Sequence, residues 1–136
     1  MVRASLSGAP YRVEIDASGH ALVADEARAR GGGGAGPDPF ALVLSGLAAC
    51  TAITLRMYAD RKGWSPFEIS AELFHKAEDG RHIIERRVRV AGAPDEAGLA
   101  RLRDIVERTP VTLALKEGFS ISTDVAPATA MSRGQA

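Results

Sequence analysis

Hydrophobic and polar positions along the chain change period four times. Tyr11, Val13 and Ile15 fall on one side of a segment whose other side is Arg12, Glu14 and Asp16, the period-two spacing of a half-buried strand. A Ser18-Gly19 turn and the return Ala21-Leu22-Val23 complete a predicted β-hairpin. From Phe40 the period becomes helical. Phe40, Val43, Leu47, Cys50, Thr54 and Met57 mark one stripe, with Leu44, Ala48 and Tyr58 beside it, and the opposite side (Leu42, Ala49, Ile53, Leu55) is also apolar up to Arg56. Asp38 is the predicted N-cap and Pro39 the first helical residue, where its missing N–H costs nothing. Gly63 behind Arg61-Lys62 closes the helix. Coverage on nearly all sides is expected for the first four turns and exposure for the last two.

Alternation resumes at Phe67, Ile69, Ala71 and Leu73 against Glu68, Ser70, Glu72 and Phe74, a strand over Pro66–Lys76. Asp79-Gly80 is a strong hairpin turn, and the return strand spans about His82–Ala91 with Ile84, Val88 and Val90 inward. Arg86 falls on that apolar face, where it must pair or snorkel. Asp95 caps a second helix with Leu99, Leu102, Ile105 and Val106 on one face, and Pro110 ends it. Val111–Lys116 is expected as a short turn, and Phe119, Ile121, Thr123 and Val125 as a last strand. Residues 1–125 read as one domain and 126–136 as a frayed tail.

This order, β-β-α-β-β-α-β, is an α+β pattern with antiparallel pairs. One sheet covers one side of a helix, and the first half of this helix is apolar nearly all round. A second copy of the chain is the economical cover, so an intertwined homodimer is expected.

Composition narrows the function classes. The chain has 136 residues, 46% hydrophobic, and its 17 basic and 17 acidic side chains cancel. Without a basic excess, nucleic acid is not an expected partner. The uncharged run Pro39–Leu55 falls short of the ~20 apolar residues of a membrane span, so a helix buried in protein is expected, with no membrane partner. No signal-peptide pattern precedes it, and a single cysteine, Cys50, removes a disulfide scaffold and cysteine-rich zinc sites. A cytoplasmic location follows as an expectation.

Candidate chemistry is sparse. Gly31–Gly36 holds five glycines in six residues, which implies a mobile or unusually shaped loop. It lacks the Lys-Ser/Thr of a phosphate loop and the strand leading into a dinucleotide fingerprint. His20, His75 and His82 show no metal-helix spacing, although His75 and His82 flank a hairpin and can face each other across it; no metal and no cofactor is expected. Neither a G-x-S-x-G motif nor a carboxylate pair stands out. Cys50 reads first as a small buried hydrophobe. The alternative, a reactive thiol, requires a cation or base from elsewhere, and Arg28 and Arg30 ahead of the glycine loop are candidates.

The run GPDPFALVLSGLAACTAITLRMYADRKGW (Gly36 to Trp64) resembles the signature helix of the OsmC/Ohr family of small bacterial proteins. The resemblance continues through IIERRVRVAG (Ile83 to Gly92), GLARLRDIVERTPV (Gly98 to Val111) and FSISTDV (Phe119 to Val125). It implies an intertwined homodimer in which a pair of cysteines reduces organic hydroperoxides, with an Arg and a Glu activating the first. On that pattern Cys50 takes the place of the peroxide-attacking cysteine and Arg30 that of the Arg. The chain departs from it in two places. Thr109-Pro110-Val111 stands where the family has Cys-Pro-Val, and Phe40-Ala41, with no Glu, follow Pro39.

Three functions are therefore in view. The first is an OsmC-like, peroxiredoxin-like thiol peroxidase of oxidative-stress defence, acting through Cys50 alone with an external small thiol as reductant. The second is a non-catalytic OsmC-like dimer that binds a small apolar ligand around Cys50, Phe40 and Thr109. The third is a structural or interaction role.

Overall fold

The computed structural model describes residues 1–93 and 95–128. Strands β1 (Val2–Ser5), β2 (Val13–Ala17) and β3 (His20–Ala24) form an antiparallel sheet in that order. After a glycine-rich loop comes α1 (Pro39–Lys62), then the antiparallel pair β4 (Glu68–Glu78) and β5 (Arg81–Ala91), then α2 (Glu96–Val106) and α3 (Pro110–Glu117). The architecture is the expected α+β arrangement of antiparallel sheets and a long central helix.

Local chemistry sets the ends of α1. Asp38 accepts the Ala41 N–H at 2.8 Å, Pro39 opens the first turn, and Gly63 at φ 71° closes the last. Leu47, Thr51, Leu55 and Ala59, four residues apart, are its buried stripe. That stripe lies on the inner face of the β4–β5 hairpin, where Ile69 opposes Val90, Ala71 opposes Val88 and Leu73 opposes Arg86. Leu55, Ala59, Phe67 and Leu102 make the centre of the core, surrounded by Tyr58, Trp64, Ile69, Val88, Val90, Ile105 and Val106.

The other side of α1 is uncovered, with Ile53 54% and Met57 58% exposed. By length and composition alone α1 would suffice to cross a membrane. The sheet β1–β2–β3 contributes nothing to the core cluster, and β1 is exposed along its whole length.

Two expectations are corrected. Val111–Lys116 is not a short turn but the body of α3, because Thr109-Pro110 repeats the cap-and-proline start of α1. Reading Pro110 only as a helix terminator missed that. Phe119–Val125 forms no strand within the chain: Phe119, Ile121 and Val125 are 66%, 83% and 91% exposed. The alternation is present, but a strand also needs a neighbouring edge, and none of the described elements supplies one. Beyond residue 128 the expected frayed tail lies outside the described residues.

The glycine-rich loop has a defined shape. Its organiser is buried Asp25, whose carboxylate accepts the N–H of Glu26 at 2.7 Å and of Ala35 at 3.1 Å, while its own N–H donates to the Pro37 carbonyl at 3.1 Å. The Ala35 N–H is the chief reason the Asp25 carboxyl is held below its ordinary range.

Candidate functional site

Cys50 lies on α1 one residue before the buried Thr51, half-buried, facing the start of α3. Burial pushes the thiol up. Against it act the Val111 N–H, the Thr109 and Thr54 hydroxyls and the positive charge of Arg86, and together they hold the thiol below its usual value. The Thr54 hydroxyl, one turn along α1, is 3.8 Å from the sulfur. Val111 is the second residue of α3, so its N–H is one of the donors a helix start leaves unbonded and points along the positive end of the dipole.

Thr109, the N-cap of α3, is fully buried. Its hydroxyl oxygen accepts the Thr112 N–H at a long 3.4 Å and shares a 2.6 Å hydrogen bond with the Thr112 hydroxyl. The same hydroxyl is one of the groups that hold the Cys50 thiol down.

Beneath this pair sits Arg86, with its side chain 11% exposed. One terminal nitrogen donates to the Thr51 and Thr112 hydroxyls, each at 2.9 Å, and the other to the Val106 carbonyl at 3.0 Å. These acceptors are all neutral. Glu107 is the near carboxylate, 3.9 Å away and committed to Lys116 at 2.6 Å. The Lys116 contact is also the main reason the Glu107 carboxyl is held below its ordinary range. The guanidinium is thus hydrogen-bonded by neutral groups, with Glu107 only at the outer limit of an ion pair, and an anion beside it is stabilised. A cavity of about 450 Å³ opens on Arg86 between Leu47, His82, Ile84, Thr112 and Lys116.

Of the residues the sequence singled out, Thr109 lies at the thiol. Phe40, ten residues ahead on the same helix and so about 15 Å along its axis, stacks on His75 instead. Arg30 closes a single 3₁₀ turn at the surface, where it pairs with Glu26 at 3.0 Å. Within one chain the cation that faces the thiol is Arg86. Sequence reasoning identified its burial problem but not the solution, Thr51 and Thr112. Thr51 carried a signal, a polar residue on the apolar stripe of a helix. The Val111 N–H could not be recognised as a helix-start donor once α3 had been read as a turn. Among the described residues no three His, Cys, Asp or Glu side chains gather in a metal-holding group.

Comparison with known proteins bears on this arrangement. An OsmC-like protein from Mycoplasma pneumoniae superposes with a TM-score of 0.67 at 20% identity, covering 85% of this chain and 86% of that one. An organic hydroperoxide resistance protein OsmC from Legionella pneumophila gives a TM-score of 0.58 at 19% identity, covering 85% and 88%. A Vibrio cholerae protein named for organic hydroperoxide resistance, solved with captopril in one of its active sites, gives 0.60 at 17% identity, covering 85% and 84%. At such identities these likenesses establish the fold. No curated protein sequence matches the chain. The family model for OsmC-like proteins matches residues 31–124, which is most of the chain and spans Cys50, Arg86 and Thr109, and the chain belongs to the OsmC-like protein family.

Proposed function

We propose that this chain is a one-cysteine, thiol-dependent hydroperoxide-reducing protein of the OsmC-like family, working in the cytoplasm as an intertwined homodimer. The observation that carries the reading is the setting of Cys50: a thiol held below its usual value by the Val111 N–H, two hydroxyls and the Arg86 charge. The thiolate attacks the outer oxygen of R–O–O–H, so an S–O bond forms and the O–O bond breaks. The alkoxide leaves and takes a proton from water, giving an alcohol and the Cys50 sulfenic acid. With threonine at 109 no thiol of the same subunit condenses with it. A small external thiol does so, releasing water, and a second molecule of that thiol frees Cys50 as a symmetric disulfide forms.

Three features support the dimer. The outer side of α1 is apolar and exposed, the β1–β2–β3 sheet is outside the core cluster, and among the described residues the alternating 119–125 segment has no edge to join. A second copy answers all three needs. Lipid is a poorer cover, since Arg86 is hydrogen-bonded to Thr51 at mid-helix, where a bilayer would place hydrocarbon.

The second reading is a non-catalytic dimer that holds a small apolar ligand near Cys50. It is favoured by Thr109 in place of a second cysteine and by Arg30 turned to Glu26. Reaction of the reduced protein with one equivalent of tert-butyl hydroperoxide, followed by thiol titration and mass, separates the two. The peroxidase reading expects oxidation of Cys50 faster than that of a free model thiol and turnover with added thiol that Cys50→Ser abolishes. Oxidation no faster than the model thiol overturns it. A sedimentation mass of one 14.3 kDa chain overturns the dimer.

A further inference from the structure

Two cavities flank Cys50 along α1. The first, on Arg86, is walled by Leu47, one turn before the cysteine. The second, of about 250 Å³, is walled by Thr54, one turn after it, and by Tyr58, Arg61, Arg101, Ile105 and Arg108. The Thr54 hydroxyl, 3.8 Å from the sulfur, joins this second cavity to the thiol.

Its rim is cationic in a chain whose charges otherwise cancel. The neighbouring carboxylates are shared or taken: Asp60 pairs with Arg56 at 2.8 Å, and Asp104 lies 2.5 Å from Arg108 and 3.8 Å from Arg101. Arg61 has no ion-pair partner among the described residues. Exposed pairs such as those of Asp104 are worth less than about 1 kcal/mol, so an incoming carboxylate displaces them at little cost. Three guanidinium-bearing side chains around one small cavity suit a carboxylate, since each presents a planar fork of donors.

A Cys50 sulfenic acid requires a thiol from outside the subunit, and in displacement at sulfur the incoming thiolate and the departing hydroxide lie on opposite sides of the atom. The Arg86 charge draws the oxygen toward the first cavity, which leaves the second, past Thr54, for the thiol. Given the one-cysteine peroxidase reading, on which this rests, we propose that the reductant is a peptide-like thiol carrying a carboxylate, held by Arg61, Arg101 and Arg108. Thr54 and Arg61 are about 10 Å apart along the helix axis. The carboxylate therefore stands several bonds from the sulfur, farther than in a simple mercapto acid. The bound thiolate attacks the Cys50 sulfur, an S–S bond forms, the S–O bond breaks, and the hydroxide leaves as water with the proton the thiol has lost. A second molecule of the same thiol then frees Cys50.

The test treats the reduced full chain with one equivalent of tert-butyl hydroperoxide and times mixed-disulfide formation by mass. Glutathione is compared with its diethyl ester, each rate corrected for thiolate fraction. Glutathione should react roughly tenfold faster, an advantage that added salt erodes. Arg61→Gln and Arg108→Gln should each remove most of that advantage without slowing the ester, and Arg61→Lys should retain part of it. Should Arg108→Gln fail to fold, Arg61→Gln, which breaks no ion pair among the described residues, and the salt series carry the test. Equal wild-type rates, an advantage that survives both substitutions, or equal slowing of thiol and ester overturns the proposal. So does a preference that belongs to the oxidant, seen as a carboxylate-bearing hydroperoxide outpacing tert-butyl hydroperoxide in the wild-type chain but not in the variants. If Cys50 resists peroxide, the peroxidase reading falls separately. The carboxylate site is then read from exchange of the reduced thiol with glutathione disulfide against its ester, where the same preference is expected and equal rates overturn it.

Discussion

Helices α1 and α3 begin with the same two-residue device, a capping side chain followed by proline, yet the two starts do different work. Asp38 is exposed, and its carboxylate makes a short 2.8 Å bond to its own helix. Thr109 is fully buried, makes a long 3.4 Å cap bond, and divides its hydroxyl between Thr112 and the Cys50 thiol. A helix start becomes a chemical feature when tertiary packing sets another group against its free N–H donors. In α1 the donors serve folding alone, and in α3 they also bias a thiol toward its anion.

Several changes would break or sharpen this contrast. The largest effect is expected from Thr109→Cys. If the α3 start is as close to the thiol as its hydrogen bonding to Cys50 requires, one equivalent of peroxide should consume both thiols and close an internal disulfide. The new loop of about 60 residues should add roughly 4 kcal/mol to stability in the chain-entropy picture, read from denaturant curves before and after reduction. Two thiols surviving peroxide treatment would mean that Thr109 and Cys50 are not in reach.

Arg86→Leu should cost about 3 kcal/mol, since it leaves the Thr51 and Thr112 hydroxyls and the Val106 carbonyl short of a donor. The alkylation midpoint of Cys50 should rise as well. Thr109→Val should cost about 1 kcal/mol for the lost cap and also move the alkylation midpoint upward, with Thr109→Ser restoring both. Asp38→Ala should cost a similar or smaller amount, about 0.5–1 kcal/mol, and leave the thiol untouched. A shifted midpoint in this last variant would refute the division of labour between the two starts.

The smallest effects concern pH. The Cys50 thiol is held below its unfolded value, so its contribution to stability is absent in acid, grows as pH rises through the folded value, and is complete above that of a free thiol. Glu107 is also depressed, chiefly by Lys116, so its contribution is present above the ordinary carboxylate range and disappears as pH falls through the folded value. Its side chain is 58% exposed, which limits the effect to a few tenths of a kcal/mol. Lys116→Met should remove that acid-side loss from a stability–pH curve while leaving the thiol-linked limb in place.

Legibility in the sequence followed the range of the interaction. Asp38, Pro39 and Gly63 marked α1 because caps act within a turn, and Asp79-Gly80 marked the β4–β5 hairpin for the same reason. Phe119–Val125 showed an alternation but not the absence of an edge among the described residues, since strand pairing is decided elsewhere in the fold. The candidate site was legible in part. Cys50 and Thr109 were identified through resemblance, whereas the role of Arg86 depends on Thr51 and Thr112, 35 and 26 residues away, and no local pattern reports such a meeting.

The glycine-rich loop is uniform in composition but not in tolerance. A Cβ at Gly36 would strike the Val23 carbonyl and one at Gly32 that of Glu26, whereas Gly33 would meet only the Asp25 carboxylate at 3.3 Å. A saturation library across residues 31–36 should therefore tolerate change at 33 and 35 and resist it at 32 and 36, and also at 31 and 34, whose positive φ favours glycine. A segment that looks like low-complexity filler carries position-specific information: it records where β3 hands the chain to α1.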